Sequence, residues 1–320
     1  MEITSMPGIG SLRAAMDLPP PPSPHRQERL GRAVKRTRAQ KKKSTVEQKT
    51  AEQLRARVEA EIKKPGDRVF LEIFAGSARL SSELRNKEIR AIPLDIHEGF
   101  DLLREDINRM IMLLITKDLI CGVWMALPCH GLGRARRGKP WKSRPVPSRG
   151  WPSPIRSSAL PWGLPEEDLS PADRRVLAAS NALVRVAIQI WTICREHRVP
   201  VAIENPFNSF FWLIPEVEGL VMQPGCAFAV LDFCAYGADW KKATKILFLH
   251  WVGVNRLVKR CRHIRQGKHL PCLCGFTLQP HRILSGKNPD TKTWWTNTAE
   301  PYPWKLAEAL ADLAVRTLKP

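Results

Sequence analysis

The feature that most constrains this chain is the alternation, from Asp67 onward, of short apolar runs with longer amphipathic ones. "RVFLEIF" predicts a strand running into the small-residue turn "AGSA", and "RLSSELRNK" predicts the helix after it. A second strand, "IRAIPLDI", ends in Asp95. "FDLLREDI" follows with Asp106, then a helical "NRMIMLLITK" and the apolar strand "DLICGVWMAL", which delivers Pro128 and Cys129. "SPADRRVLAASNALVRVAIQIWTICREH" predicts a helix capped by Ser170 with Pro171 in its first turn. The strand "VPVAIENP" closes on Glu204, Asn205 and Pro206. "AFAVLDFCAYG" and "KKATKILFLH" predict an antiparallel pair, and "PWKLAEALADLAVRTL" a closing amphipathic helix. Strands alternating with helices predict an α/β fold, a mostly parallel sheet with helices on both faces and ligands at the carboxyl ends of its strands.

Two strand ends carry chemistry in their residue types. In "FLEIFAGSARL" Gly76 allows close backbone approach, and the helix behind it opens with free amides, so the turn reads either as packing or as a nucleoside site. Asp95, about 20 residues beyond, suits a ribose, and Asp106 suits an adenine amine. Each also reads as a solvated strand-end carboxylate. Cys129 is either a small buried hydrophobe or a reactive thiol. The chain leaves the core at Pro128 and enters a glycine-containing loop with Arg134, Arg136 and Arg137, which would lower a thiol pKa or hold phosphates. Cys121, within a strand, and Cys194, within a helix, have none of these neighbours.

Charge points to the partner. Lys and Arg number 51 against 31 Asp and Glu, a formal net charge of +20, which predicts a polyanion, nucleic acid before an anionic membrane. Residues 1–66 read as a disordered tail: "DLPPPPSPHRQERL" is proline-rich and "RAVKRTRAQKKKSTVEQ" densely basic, either a nucleic-acid arm or nuclear address or a merely solvated tail, with one helix possible in "TVEQKTAEQLRARVEAEIKK". Residues 67–320 form the expected domain. Gly138 to Pro165 is too long and basic for a simple connector and reads as a functional surface loop. Eight cysteines without a secretory leader predict reduced thiols inside a cell, in the nucleus if the cell has one, and no apolar run is expected to span a membrane.

Taken in order, these pieces resemble the DNA cytosine-5 methyltransferase family, as a divergent and compact member. "LEIFAGSA" is similar to the family's Asp-Leu-Phe-x-Gly-x-Gly cofactor turn, "LPCHGLGRARR" to its Pro-Cys loop and "IENP" to its Glu-Asn-Val strand end. "AYGADWKKATKILF" is similar to its Tyr-Gly, basic, apolar-strand block, and "TAEPYPWKLAEALADLAV" to its closing block. The resemblance covers residues 69 to about 250 and 294 to 318. It implies a class I, Rossmann-like methyltransferase fold that uses S-adenosylmethionine. Phe74, Ala75, Gly76, Ser77, Asp95, Asp106 and Pro128 would line the cofactor. Cys129 would add to C6 of a flipped cytosine, Glu204 would bond N3 and the exocyclic amine, and Asn205 would brace the Cys129 loop. Lys242 or Lys245 would support the base or its phosphate, with Lys241, Arg134, Arg136 and Arg137 on the nucleic acid. The expected partner is DNA before RNA; a homologue that binds nucleic acid without turnover is the remaining reading.

The sequence departs from the family at Ala78, Pro206, Trp240, Thr244 and Glu300. The family's long target-reading region is reduced to about residues 251–293, with four lysines and five arginines. Within it Cys261, Cys272, Cys274 and His281 are dense enough for a structural zinc, although not in paired C-x-x-C spacing, and otherwise read as free thiols. Trp294 and Trp295 read as core residues or as base-stacking platforms.

Overall fold

The computed structural model describes residues 48–134, 153–265, 272–284, 286–290 and 292–319. The expected tail over 1–47, Arg136, Arg137 and the middle of the proline-rich loop lie outside the described residues. Six strands, β1 (Val69–Ile73), β2 (Ala91–Leu94), β3 (Ile120–Ala126), β4 (Val201–Pro206), β5 (Cys226–Asp232) and β6 (Ala243–Leu249), form one sheet in the order β2-β1-β3-β4-β6-β5. β1 pairs in parallel with β2 and β3, and β3 with β4, whereas β6 runs antiparallel to both β4 and β5. This mostly parallel sheet, closed by a hairpin whose last strand inserts against the rest, is the expected Rossmann-like α/β fold.

Strand periodicity sorts the core into two layers. Leu71, Ile73, Val123, Met125, Val201, Ile203, Leu247 and Leu249 face one side, where α1 (Ala51–Glu61), α3 (Glu105–Thr116) and α4 (Pro171–Glu196) pack. Their neighbours Phe70, Trp124, Ala202, Leu231, Ile246 and Phe248 face the other, under α2 (Arg79–Asn86) and α7 (Trp304–Leu318). The remaining helices are short: α5 (Pro215–Val221) follows β4, and α6 (Trp295–Thr298) precedes α7. Successive residues at a strand end therefore reach opposite sides of the sheet, and this parity decides what Glu204 and Asn205 can each touch.

Three expectations need correction. The tail boundary at residue 66 is too late, because α1 belongs to the domain. Thr50 and Gln53 form a reciprocal capping box, at 3.2 and 2.7 Å, and Leu54 and Val58 are fully buried against the first core layer. By length and composition, α4 is long and apolar enough to cross a bilayer, contrary to the expectation of no such run. Here its apolar stripe, including Val184, Ala187, Ile190, Trp191 and Cys194, is buried in the core. Trp294 is exposed, with Lys287 Nζ 5.4 Å from its ring centre, so it is no core residue.

Candidate active site

Strand order reverses between β1 and β3, since the chain moves outward from β1 to β2 and then returns to build β3 and β4 on the other side. In such a sheet the crevice outside the carboxyl ends at the reversal is the ligand site. The turn after β1 and the loop after β3 flank it. Phe74, Gly76 and Ala78 all take left-handed backbone, at φ 60, 53 and 52°. A Cβ on Gly76 would meet nothing within 4 Å, so the backbone there is open to a ligand. Ala78 holds the conformation that a glycine adopts freely, at a cost of about 1 kcal/mol. Ala75 is buried, Phe74 half-buried, and Gly76 and Ser77 are exposed at the crest.

Asp95 ends β2 and ties this turn down. Its Oδ2 accepts the Gly76 N–H at 3.0 Å and its Oδ1 the His97 N–H at 2.9 Å. Each oxygen keeps a further lone pair, so the carboxylate fits a ribose diol beside an open glycine turn. Asp106 sits in the first turn of α3 with both carboxylate oxygens held by Arg104, at 3.0 and 2.6 Å. Under the turn, buried Glu72 accepts the Ser81 N–H at 2.7 Å and so joins β1 to α2. Burial pushes the Glu72 pKa up to about 7, against the lowering effects of the Ser81 bonds and of Arg85.

Cys129 follows β3 and Glu204 lies in β4, whose register pairs Glu204 with Ala126. Cys129 is exposed on its loop, while Glu204 is buried. Close protein walls desolvate the thiol and raise its pKa; Lys242 opposes this, and Glu204 and Glu300 add to it. Burial likewise raises the Glu204 pKa, opposed by the Lys242 charge and by the hydroxyls of Tyr302 and Thr244. Tyr302 donates to Glu204 Oε2 at 3.3 Å; Glu204 Oε1 and Thr244 Oγ1 are both buried without a well-formed hydrogen bond among the described residues, although the Thr244 hydroxyl is close enough to lower the Glu204 pKa. A buried carboxylate oxygen without a full hydrogen bond is costly, and this carboxylate is close enough to Cys129 to raise its thiol pKa.

Parity places Asn205 on the opposite side of the sheet, where its Nδ2 donates to Leu127 O at 3.1 Å and braces the root of the Cys129 loop. The loop closes on itself: the N–H groups of Gly131, Leu132 and Gly133 all converge on Cys129 O, at 2.9–3.1 Å. Arg156, from the far end of the proline-rich loop, holds it from outside. Only 2% exposed, its guanidinium donates to Gly131 O, Pro161 O, Ser180 Oγ and Asn181 Oδ1, all within 2.7 Å. Burial lowers the Arg156 pKa to about 10. Gly131 is confined as well, since a Cβ there would lie 2.7 Å from Ser180 Oγ.

The basic candidates divide. Lys242 Nζ donates to Ala299 O at 3.2 Å and sits 4.7 Å from the Phe233 ring centre, which joins the β5–β6 hairpin to the closing block. Lys245, paired with Asn205 in the register, lies between the Trp212 and Phe228 rings, at 4.7 and 5.0 Å, and burial lowers its pKa. Lys241 Nζ is 3.3 Å from His263 Nε2. Arg134 covers Phe210 at 4.9 Å, over a hollow of about 90 Å³ that Gly131 and Arg156 also line. Pro128 is exposed beside Cys129.

The expected zinc set is corrected at one position. Cys234, Cys261, Cys274 and His281 bring their ligand atoms within 4.8 Å of one another, while Cys272 is exposed and outside the cluster. The place given to Cys272 is filled by Cys234, from the turn that ends β5, a residue far from the insertion in sequence. Sequence reasoning also missed Tyr302, Arg156 and Glu72.

No protein-family model matches the sequence, and no curated protein matches it. Among solved structures the chain is similar to a triple mutant of Spodoptera frugiperda DNMT2, at 13% identity and a TM-score of 0.32, over 61% of this chain and 55% of that one. The chain thus spans about half the length of that structure.

Proposed function

We propose that this chain methylates C5 of cytosine in DNA from S-adenosylmethionine, with Cys129 as the nucleophile. The observation that carries this reading is the juxtaposition of an exposed cysteine with a buried carboxylate that acts on it electrostatically, at the ends of adjacent parallel strands. A cytosine turned into the crevice offers what that pair lacks: an electrophilic C6 for the thiolate, and an N3 and amino group for Glu204. The turn at 74–77 and Asp95 would hold the cofactor, which supplies an electrophilic methyl group when bound.

The residues act in sequence. The Cys129 thiol gives its proton to solvent and its sulfur bonds to C6, while Glu204 delivers a proton to N3 and electron density moves to C5. Burial favours the protonated Glu204 that this step requires. Lys242, within electrostatic reach of both groups, favours the thiolate and limits the rise in Glu204. Once C5 carries the methyl group, its hydrogen leaves to solvent as a proton, the Sγ–C6 bond breaks and N3 returns its proton to Glu204. The net change replaces the C5 hydrogen by methyl.

The test is methyl-labelled S-adenosylmethionine with the full chain and either duplex DNA or RNA. Label recovered as 5-methylcytosine in DNA with wild type and lost with Cys129→Ser supports the reading. Label in RNA alone overturns the DNA assignment, and label in neither overturns the activity.

A further inference from the structure

The geometry points to a tetrahedral zinc ion held by Cys234, Cys261, Cys274 and His281, which builds the insertion after β6 and fastens it to the β5–β6 hairpin. The distances fit the ion. With Zn–S near 2.3 Å and Zn–N near 2.05 Å, a tetrahedron has S···S edges of about 3.8 Å and S···N edges of about 3.6 Å. Cys261 Sγ lies 3.6 Å from Cys274 Sγ and 3.6 Å from His281 Nε2. The two sulfurs are well beyond disulfide length, which is about 2.05 Å.

The surroundings are built for the same purpose. Among the described residues from Val258 to Thr298, only Cys261 and Cys274 are buried, while Ile264, Phe276, Leu278 and Ile283 are exposed. A lobe this small with no apolar core needs a metal or a cross-link to hold a shape. Its chain nevertheless turns tightly on the ligands. The Phe276 N–H points at Cys274 Sγ at 3.4 Å, the Leu278 N–H bonds Cys274 O, and Ile264 and Leu273 exchange backbone bonds at 2.9 Å. Gly275 has to lack a side chain, since a Cβ would lie 2.4 Å from the Arg262 carbonyl oxygen. On the domain side, buried Asp232 accepts the Cys261 N–H at 2.7 Å and Arg260 Nε at 3.1 Å, which fixes the segment that brings Cys261 beside Cys234.

Cys234 is next to Phe233, the ring beneath Lys242, so the ion also holds the turn of the hairpin. The insertion would then sit beside the crevice as a compact basic lobe; this last step rests on the proposed activity, but the metal site does not.

The experiment measures zinc by elemental analysis on the full chain purified under reducing conditions, with cobalt(II) substitution as a spectroscopic readout. The expected result is one zinc per chain in wild type and in Cys272→Ser, a loss of nearly all of it in Cys234→Ser and His281→Ala, and its recovery in His281→Cys. Cobalt-loaded wild type should show the intense thiolate charge-transfer and d–d bands of a tetrahedral site, independently of any folding defect in the variants. Metal-free wild type, a Cys261–Cys274 disulfide in its place, or zinc lost from Cys272→Ser but kept by Cys234→Ser would overturn the assignment.

Discussion

The phenol of Tyr302 stands between Trp124 and Glu204: its oxygen accepts the indole N–H at 3.1 Å and its hydrogen goes to the carboxylate at 3.3 Å. Three elements, β3, β4 and the segment before α7, thereby share one buried bond chain on the second face of the sheet. Tyr302 holds one carboxylate oxygen, and the other has the Thr244 hydroxyl as its nearby polar neighbour.

Tyr302→Phe removes that donor with little change in volume. The hydrogen bond favours ionised Glu204, so its loss raises the Glu204 pKa further. The alkaline limb of the pH–rate profile, where protonated Glu204 is lost, should move to higher pH. An unmoved limb would mean that Glu204 does not set it.

Arg156 is a positioning residue that acts through the Cys129 loop. Arg156→Met leaves four oxygens without their donor and should cost about 2–4 kcal/mol of stability in urea titration. Iodoacetamide should also modify Cys129 with a changed rate and pH dependence, and Arg156→Lys should restore part of both. An unaltered Cys129 alkylation profile in a destabilised Arg156→Met would confine the guanidinium to a purely structural role.

Glu72 makes stability depend on pH. Its folded pKa, about 7, lies above the ordinary 4.5, so the native state holds the proton more tightly and gains stability below about pH 4.5 that is lost as pH rises through 7. Glu72→Gln keeps an acceptor for the Ser81 N–H without the charge. Its stability relative to wild type should improve between about pH 5 and pH 8, by on the order of 3 kcal/mol. Equal differences at both pH values would show that another group titrates.

What the sequence disclosed was local. The turn after β1, the acid at the end of β2, the Pro-Cys exit from β3 and the Glu-Asn end of β4 were each legible because periodicity and turn chemistry act over a few residues. Tyr302 was not, because it meets Glu204 across 98 positions and Trp124 across 178, and only the folded sheet brings them together. Arg156 read as one more charge in a basic loop, because its partners are backbone carbonyls and neutral side chains with no pattern in sequence. Cys234 was hidden because the Cys/His cluster gathers its members by space, whereas Cys272 lies two positions from the cluster member Cys274 in sequence. The first helix was assigned to the tail because only Ala51, Leu54 and Val58 of its residues are buried, too sparse an apolar stripe to stand out beside a basic run.

The central claim is that Cys129 attacks a cytosine whose N3 is served by Glu204, and trapping the covalent complex tests it most directly. Full-length protein with S-adenosylmethionine and DNA containing 5-fluorocytosine should give a denaturant-resistant complex, because fluorine blocks the final loss from C5. Peptide mapping should place the adduct on Cys129, and Cys129→Ser should form none while still binding the cofactor. A wild type that binds the cofactor but yields no adduct, or an adduct that survives in Cys129→Ser, would contradict the account.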